Sequence, residues 1–252
     1  MKVISLNIWG MQIEKPLREF FESNKHIDIF CLQELYNKAN SHSTELEKYY
    51  SGKNYNCTDE IQDILIEHSL FFSPVIEDMF GIGVFIKKGI RVLDNGEVVI
   101  HKHEDYMKKD THHKYSGYHD RKLQWLRLES EGSEFVLVNV HCLWNGMGKT
   151  DTTDRLRQSE IIKQFLNSIS LPVVVCGDFN LRPETESMKM IESGLVNLVK
   201  THNIESTRTS LYKKNEKFAD YILVTPAVTV GAFEVLPDEV SDHAALHLDF
   251  QI

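Results

Sequence analysis

No stretch of this chain approaches the roughly 20 consecutive apolar residues that a helix needs to cross a bilayer, which excludes a helical membrane span. The N-terminal residues Met1 to Gly10 enter strand-like alternation at once, without the apolar core of a secretory signal, and predict a cytoplasmic protein. Cysteine is scarce. Cys31, Cys57, Cys142 and Cys176 are far apart and form no CxxC pair, so the expectation is buried, reduced thiols, with neither a thiolate metal centre nor a disulfide framework. The 12 histidines include no HExxH spacing. His101, His103, His112, His113 and His119 fall in a polar, irregular stretch that predicts solvent exposure. Positive charge is also short, with 28 Lys and Arg against 37 Asp and Glu and a net charge of −9. General electrostatics therefore opposes binding to polyanions, and a phosphate-bearing ligand would need a bound cation or a local basic patch. No linker, repeat or low-complexity tract divides the 252 residues, which predict a single domain over 1–252. Nothing in the chain implies a protein partner, and a monomer is expected.

What is present is organised around Leu171 to Asn180, LPVVVCGDFN. The run Val173 to Cys176 predicts an inner strand buried on both faces, and Gly177 a sharp turn after it. Asp178 and Asn180, two positions apart, would then project the same way beyond the strand end. On either side the chain alternates strands with helices. Val3 to Ile8 reads as a strand, the segment around Pro16, Leu17, Phe20 and Phe21 as an amphipathic helix, and Ile27 to Leu32 as a second strand running into Gln33 and Glu34. Residues 43–50 and 58–68 suggest helices, the second capped by Thr58 or Asp59. Gly81 to Ile86 and Ile90 to Leu93 predict two strands meeting at a turn, and residues 101–120 a long loop. Leu123 to Leu128 and Phe135 to His141 predict a hairpin across Glu131 and Gly132. A helix from Thr153 and a short one after Pro183 and Thr185 follow, and strands at Asp220 to Val224, Val228 to Leu236 and Ala244 to Phe250 close the chain.

Polar residues recur where these strands end: Asn7, Glu34, His141, Asp178 with Asn180, Asp220, and Asp242 with His243. In layered α/β proteins ligands gather outside strand ends. Glu34 and Asp242 are hard oxygen donors suited to Mg²⁺ or Mn²⁺, which prefer one or two carboxylates plus substrate phosphate. Asn7 and Asn180 can orient groups without adding charge. His243 can stabilise or protonate a charged oxygen, and a carboxylate such as Asp220 would fix its tautomer and raise its pKa. Each has a bland counterpart when taken alone: a solvated loop Glu, a core His, an Asp-His surface turn. The functional reading rests on their joint occurrence.

In order, Leu6-Asn7-Ile8-Trp9-Gly10, Leu32-Gln33-Glu34, Val138-Asn139-Val140-His141, Gly177-Asp178-Phe179-Asn180, Asp220-Tyr221-Ile222 and Ser241-Asp242-His243 resemble the motifs of the endonuclease/exonuclease/phosphatase superfamily. The resemblance implies an α/β fold of deoxyribonuclease-like type, a four-layer sandwich of two mixed β-sheets flanked by helices, with one site at the sheet edges. It implies a metal-dependent phosphoesterase that uses Mg²⁺ (or Mn²⁺). By this likeness Glu34 binds the metal with Asp242 and Asn7 nearby, and Asn180 holds water or phosphate. His141, and His243 paired with Asp220, contact the scissile phosphate. The base that activates water is Asp178 or His243. Where many DNA-repair members carry an Asp two residues after the first Asn, this chain has Trp9, a form more similar to the neutral sphingomyelinase branch. The substrate ranked first is a phosphodiester in nucleic acid, with Lys87, Lys88, Lys108, Lys109, Lys114, Arg121 and Lys122 as a local basic rim. Lipid head groups or small phosphate esters rank second, and a non-catalytic phosphate-binding protein on the same scaffold third.

Overall fold

The computed structural model describes residues 1–39, 52–102 and 119–252. Strand β1 (Lys2–Asn7) leads through a tight turn at Trp9–Met11 into helix α1 (Glu14–Ser23), and β2 (Ile29–Tyr36) follows. Helix α2 (Cys57–Ile64) precedes strands β3 (His68–Ile76) and β4 (Phe80–Lys87). Next come β5 (Arg91–His101), β6 (Arg121–Ser130), β7 (Ser133–His141), α3 (Thr153–Asn167), β8 (Val173–Asp178) and α4 (Glu186–Glu192). The chain ends with β9 (Val196–Asn197), α5 (Leu198–Thr201), β10 (Asp220–Val224), β11 (Thr229–Val235) and β12 (Leu246–Gln251). These strands form two six-stranded mixed sheets, ordered β11-β12-β1-β2-β4-β3 and β5-β6-β7-β8-β10-β9. The parallel neighbours are β1 with β2 in the first sheet and β7 with β8 in the second.

Alternation along each inner strand sorts its side chains between two faces. In β1, Ile4 and Leu6 pack with Phe30 and Leu32 of β2 and with Leu17, Phe20, Phe21 and Ile61 of α1 and α2. Val3, Ile29 and Cys31 turn the other way and join Leu137, Val174 and Cys176 of the second sheet. On the outer face of that sheet Val136, Val138 and Val175 belong to the same apolar cluster as Ile162, Met188 and Ile191 of α3 and α4. One polar step interrupts the space between the sheets. Gln33 Nε2 donates to Asn139 Oδ1 at 2.7 Å, and Asn139 Nδ2 donates to the carbonyls of Leu32 and Gly83. Both side chains are fully buried, so the bond fixes how one sheet slides on the other.

Several sequence expectations are revised. The strand at 173–178 does not turn at Gly177; it continues through Asp178, and Gly177 is needed because its φ of +135° and its neighbour leave no room for a side chain. A methyl group there would lie 2.1 Å from the Val140 carbonyl oxygen. β2 likewise runs on to Tyr36 through a β-bulge between Gln33 and Leu35. The strands on either side of Gly89 belong to different sheets, so the turn carries the chain across the sandwich. α2 starts at Cys57 after Asn56, which makes no side-chain cap, leaving Thr58 and Asp59 inside its first turn; it ends at Ile64, and β3 begins at His68. β3 is an edge strand, which is how it tolerates Pro74. His101 and His119 are buried, whereas the helix suggested at 43–50 and His103, His112 and His113 lie outside the described residues. The hairpin at Glu131-Gly132 forms with φ of 53° and 82°, the doubly positive pair of a two-residue turn.

Gly177→Ala should destabilise the fold by on the order of 3 kcal/mol, since it combines a disfavoured φ with a clash against backbone. Urea unfolding tests this. A midpoint equal to that of the parent chain would mean that β7 can yield.

Candidate active site

Because β1 and β2 run parallel, as do β7 and β8, their C-terminal ends converge at one edge of the sandwich and deliver Asn7, Glu34, His141 and Asp178 together. Register does the rest on the second sheet, where His141 and Asp220 flank Asp178 on adjacent strands. The loop before β12 adds Asp242 and His243, with Ser241 Oγ donating to the Asn7 carbonyl at 2.7 Å and accepting from His243 N. All eight residues singled out in the sequence thus meet at one cleft of about 490 Å³ or immediately beneath it.

Glu34 reaches the cleft because it is the bulged residue of β2, with φ of +60°. A bulge re-aims a side chain that regular pleating would send elsewhere. Asn180 also has a left-handed backbone, as do Trp9, Gly10 and Met11 in succession. Strained backbone of this kind at non-glycine positions clusters at functional sites.

Asn7 ties the two sheets together: its Nδ2 donates to Glu34 Oε1 at 3.2 Å and to Asp178 Oδ2 at 3.1 Å, and its Oδ1 accepts from Trp9 N. Asp178 Oδ1 accepts from the backbone N of Asn180 at 2.9 Å. Burial alone would push the Asp178 carboxyl up, but Lys149, His243, His141 and Arg208 around it hold it well below the usual carboxylate range. It is an ionised acceptor and a weak base. His243 Nδ1 bonds both oxygens of Asp220 at 2.9 Å, and its Nε2 lies 3.7 Å from Asp178 Oδ2. Burial opposes the charged imidazolium, yet Asp220 and Asp178 overcome it and raise the His243 pKa. His141 is the reverse case: burial, Arg121, His243 and Lys149 outweigh Asp178 and keep the ring neutral.

For a cation, the open donors are on the Glu34 side. Asp242 Oδ1 is buried with no hydrogen-bond partner, while its Oδ2 is 3.3 Å from Arg208 Nη1. Burial lowers the Lys53 pKa against the pull of Glu34 and Asp242, and its ammonium donates to the Trp9 carbonyl. Ligand atoms of Asp178, Asp220 and His243 also lie within 4.8 Å of one another. In that group Nδ1 of His243 occupies both Asp220 oxygens, so an ion there would have to break the pair.

The sequence does not single out Lys149, Lys53, Arg208 or Tyr212; Arg208 stands in the polar stretch 201–217 beside Lys213 and Lys214. All four line the cleft. Lys149 Nζ donates to Asn180 Oδ1 at 2.6 Å. Its single sequence signal is a place in the turn-rich loop after His141. Arg208 is placed by an isolated bridge to His243 and stacks over Tyr212. Of the expected basic rim, Arg121 lines the cleft. Lys87 and Lys88 sit at the opposite end of β4 from cleft-lining Phe80, bonded to the carbonyls of His26 and Ile66, and Lys122 is paired with Glu97. Lys108, Lys109 and Lys114 lie outside the described residues.

Burial lowers the Lys149 ammonium to about 8 against the pull of Asp178. Below pH 8 the group is charged both folded and unfolded, and the burial penalty is fully present. Between that and roughly 10.4, the ordinary lysine value, the unfolded chain holds more protons, so folding stability gains with rising pH. Metal-free protein should therefore gain up to ~3 kcal/mol relative to Lys149→Met between pH 7 and pH 10 in urea titrations. A stability difference that does not change with pH would contradict the depressed ammonium.

Comparison with known proteins agrees with the two-sheet fold. The structure aligns with a mannosyl-6-phosphatase of Bacteroides thetaiotaomicron at 16% identity and a TM-score of 0.72, covering 100% of both chains. It aligns with a humanized D. rerio TDP2 at 16% identity and TM-score 0.74 over 100% of this chain and 99% of that one. The human Nocturnin catalytic domain gives 18% identity and TM-score 0.68, with 100% and 93% coverage. At such identities these likenesses speak to the fold, which is the two-sheet architecture of those proteins. A search of curated protein sequences finds no match. The model of the Endonuclease/Exonuclease/phosphatase family, however, matches residues 4–243, nearly the whole chain, and to that family the chain belongs.

Proposed function

We propose that this protein is a divalent-metal-dependent hydrolase of phosphate esters, acting first on small ones. The observation that carries the metal is Asp242 Oδ1, a buried carboxylate oxygen with no hydrogen-bond partner in the cleft that Glu34 also lines. Hard oxygen donors of this type fit Mg²⁺ or Mn²⁺. Glu34 and Asp242 would hold the ion, with Asn7 orienting Glu34. Once bound, the ion supplies charge to a phosphate oxygen and favours a nucleophilic water. The remaining work falls to the chain. Asp178, ionised and weakly basic, orients the water oxygen toward phosphorus as a new P–O bond forms and the ester P–O bond breaks; the water gives up one proton to solvent and the departing oxygen takes one up, so that water adds across the ester bond. The His243 imidazolium, held by Asp220, and the neutral His141 donate to phosphate oxygens whose charge grows in the transition state.

The choice of small esters rests on the cleft. Trp9, Tyr36, Phe80, Trp144 and Tyr212 line it together with Lys53, Arg121, Lys149, Arg208 and Lys214. Its volume of about 490 Å³ suits a compact ligand. A polynucleotide track would need cations beyond the cleft, and Lys87, Lys88 and Lys122 are turned away or already paired. The mannosyl-6-phosphatase among the structural neighbours bears, by its name, on a sugar phosphate. Nucleic acid is the second reading, favoured by Trp144, which is 37% exposed and could stack on a terminal base.

A panel of hexose phosphates, aryl phosphodiesters, single- and double-stranded DNA, RNA and sphingomyelin, each with Mg²⁺ and with chelator, tests both parts. Turnover should vanish with chelator and return with Mg²⁺ or Mn²⁺. Full activity in chelator sinks the metal, and a kcat/KM on double-stranded DNA above that on every small ester sinks the substrate class.

Asp220 and His243 should behave as one unit. Asp220→Asn and His243→Ala should each lower kcat/KM by roughly 100-fold or more, and the double variant little further. Losses that add within about 0.5 kcal/mol would mean that the two act separately.

A further inference from the structure

We propose that the Lys149 ammonium stands where a second divalent ion would otherwise bind, so that hydrolysis runs on one metal at Glu34 and Asp242 and one fixed organic cation at Asp178 and Asn180. The inference rests on the phosphoesterase reading and concerns how many ions the site takes.

The cleft has two groups of oxygen donors, and they differ in occupancy. On the Glu34 side Asp242 Oδ1 accepts no hydrogen bond, with His243 Nε2 at 3.9 Å. On the other side every oxygen is already engaged. Asp178 Oδ1 accepts from Asn180 N at 2.9 Å, Asp178 Oδ2 from Asn7 Nδ2 at 3.1 Å, and Asn180 Oδ1 from Lys149 Nζ at 2.6 Å. Asn180 Nδ2 in turn donates to the Cys142 carbonyl, which fixes the amide with its oxygen toward the lysine. An incoming dication would have to displace the Lys149 ammonium from Asn180 or sit against it, and like charges in a buried site repel strongly.

Lys149 is held from both sides rather than left on a pliant loop. The Arg155 guanidinium, fully buried, donates to the carbonyls of Leu143, Gly148 and Thr150, and Arg182 N donates to the Lys149 carbonyl itself. Asp151 adds an anchor by accepting from Glu186 N and Ser187 N at the start of α4. A rigidly placed charge needs no rearrangement as negative charge develops on a substrate. An ammonium carries three N–H donors, and among the described residues one is committed, to Asn180. The others are available to a phosphate oxygen in the cleft that Lys149 lines.

The deciding measurement is the Mn²⁺ stoichiometry of the substrate-free full chain by calorimetry and by electron paramagnetic resonance, with no turnover required. The parent protein should bind one Mn²⁺, Lys149→Arg one, and Lys149→Ala two, the additional ion filling the vacated position. Two ions in the parent, or one in Lys149→Ala that is folded by circular dichroism, overturns the proposal. In parallel, Lys149→Ala should lose about 100-fold in kcat at saturating Mg²⁺, and Lys149→Arg less. Wild-type kcat in Lys149→Ala would also overturn it. Failure of every phosphate ester as a substrate would count against the phosphoesterase reading instead, because the ion count is read without one.

Discussion

The charge of one buried carboxylate governs the organisation of this site. Asp178 is 2% exposed and ionised, a state that burial opposes strongly unless opposite charge and hydrogen bonds surround it. Its surroundings supply both: Lys149 and Arg208 as fixed cations, His243 whose hold on a proton Asp220 strengthens, and donors from Asn7 and Asn180. The same arrangement divides the histidines. His243 has Asp220 at 2.9 Å and its pKa is raised, whereas His141 faces Arg121 and Lys149 and its pKa is held well below the ordinary value. Two rings on either side of one carboxylate thus shift in opposite directions because their second neighbours differ.

This balance is possible because two sheets pack face to face in a fixed register. The Gln33–Asn139 bond sets the offset between them one step below the cleft, where an apolar pair would have allowed sliding. Asn7 then continues the same seam by linking Glu34 of one sheet to Asp178 of the other. Gly177 lets β8 lie against β7 closely enough that His141 and Asp178 are neighbours. A distortion at any of these positions would shift the acids relative to one another by more than a hydrogen bond tolerates.

Much of the fold was readable because burial leaves a periodic mark. The strands at 3–8, 123–128, 135–141, 173–176 and 220–224 are legible as apolar runs, and the helix from Thr153 as helical spacing. What went unread had no such mark. β3 mixes Ser, Phe and Pro on an edge, β2 hides its continuation behind a bulge, and the turn at Gly89 looks the same whether it joins neighbours in one sheet or crosses to another. In the site, residues at strand ends announced themselves by interrupting apolar segments. Lys149, Lys53 and Arg208 come from loops, where a basic residue is ordinary, and only their burial distinguishes them.

The sequence by itself determined the inner strands, the order of the polar residues that end them and the family to which they point, because those depend on short-range periodicity and on residue type. Tertiary structure alone decided which cations balance which acids. It brought Lys149 to Asn180 across 31 positions and Arg208 to Asp242 across 34, and it turned Lys87 and Lys88 away from the cleft. Charge acts through space and not along the chain. The protonation state of each group, and with it the chemistry open to the site, therefore exists only once the two sheets have closed on one another.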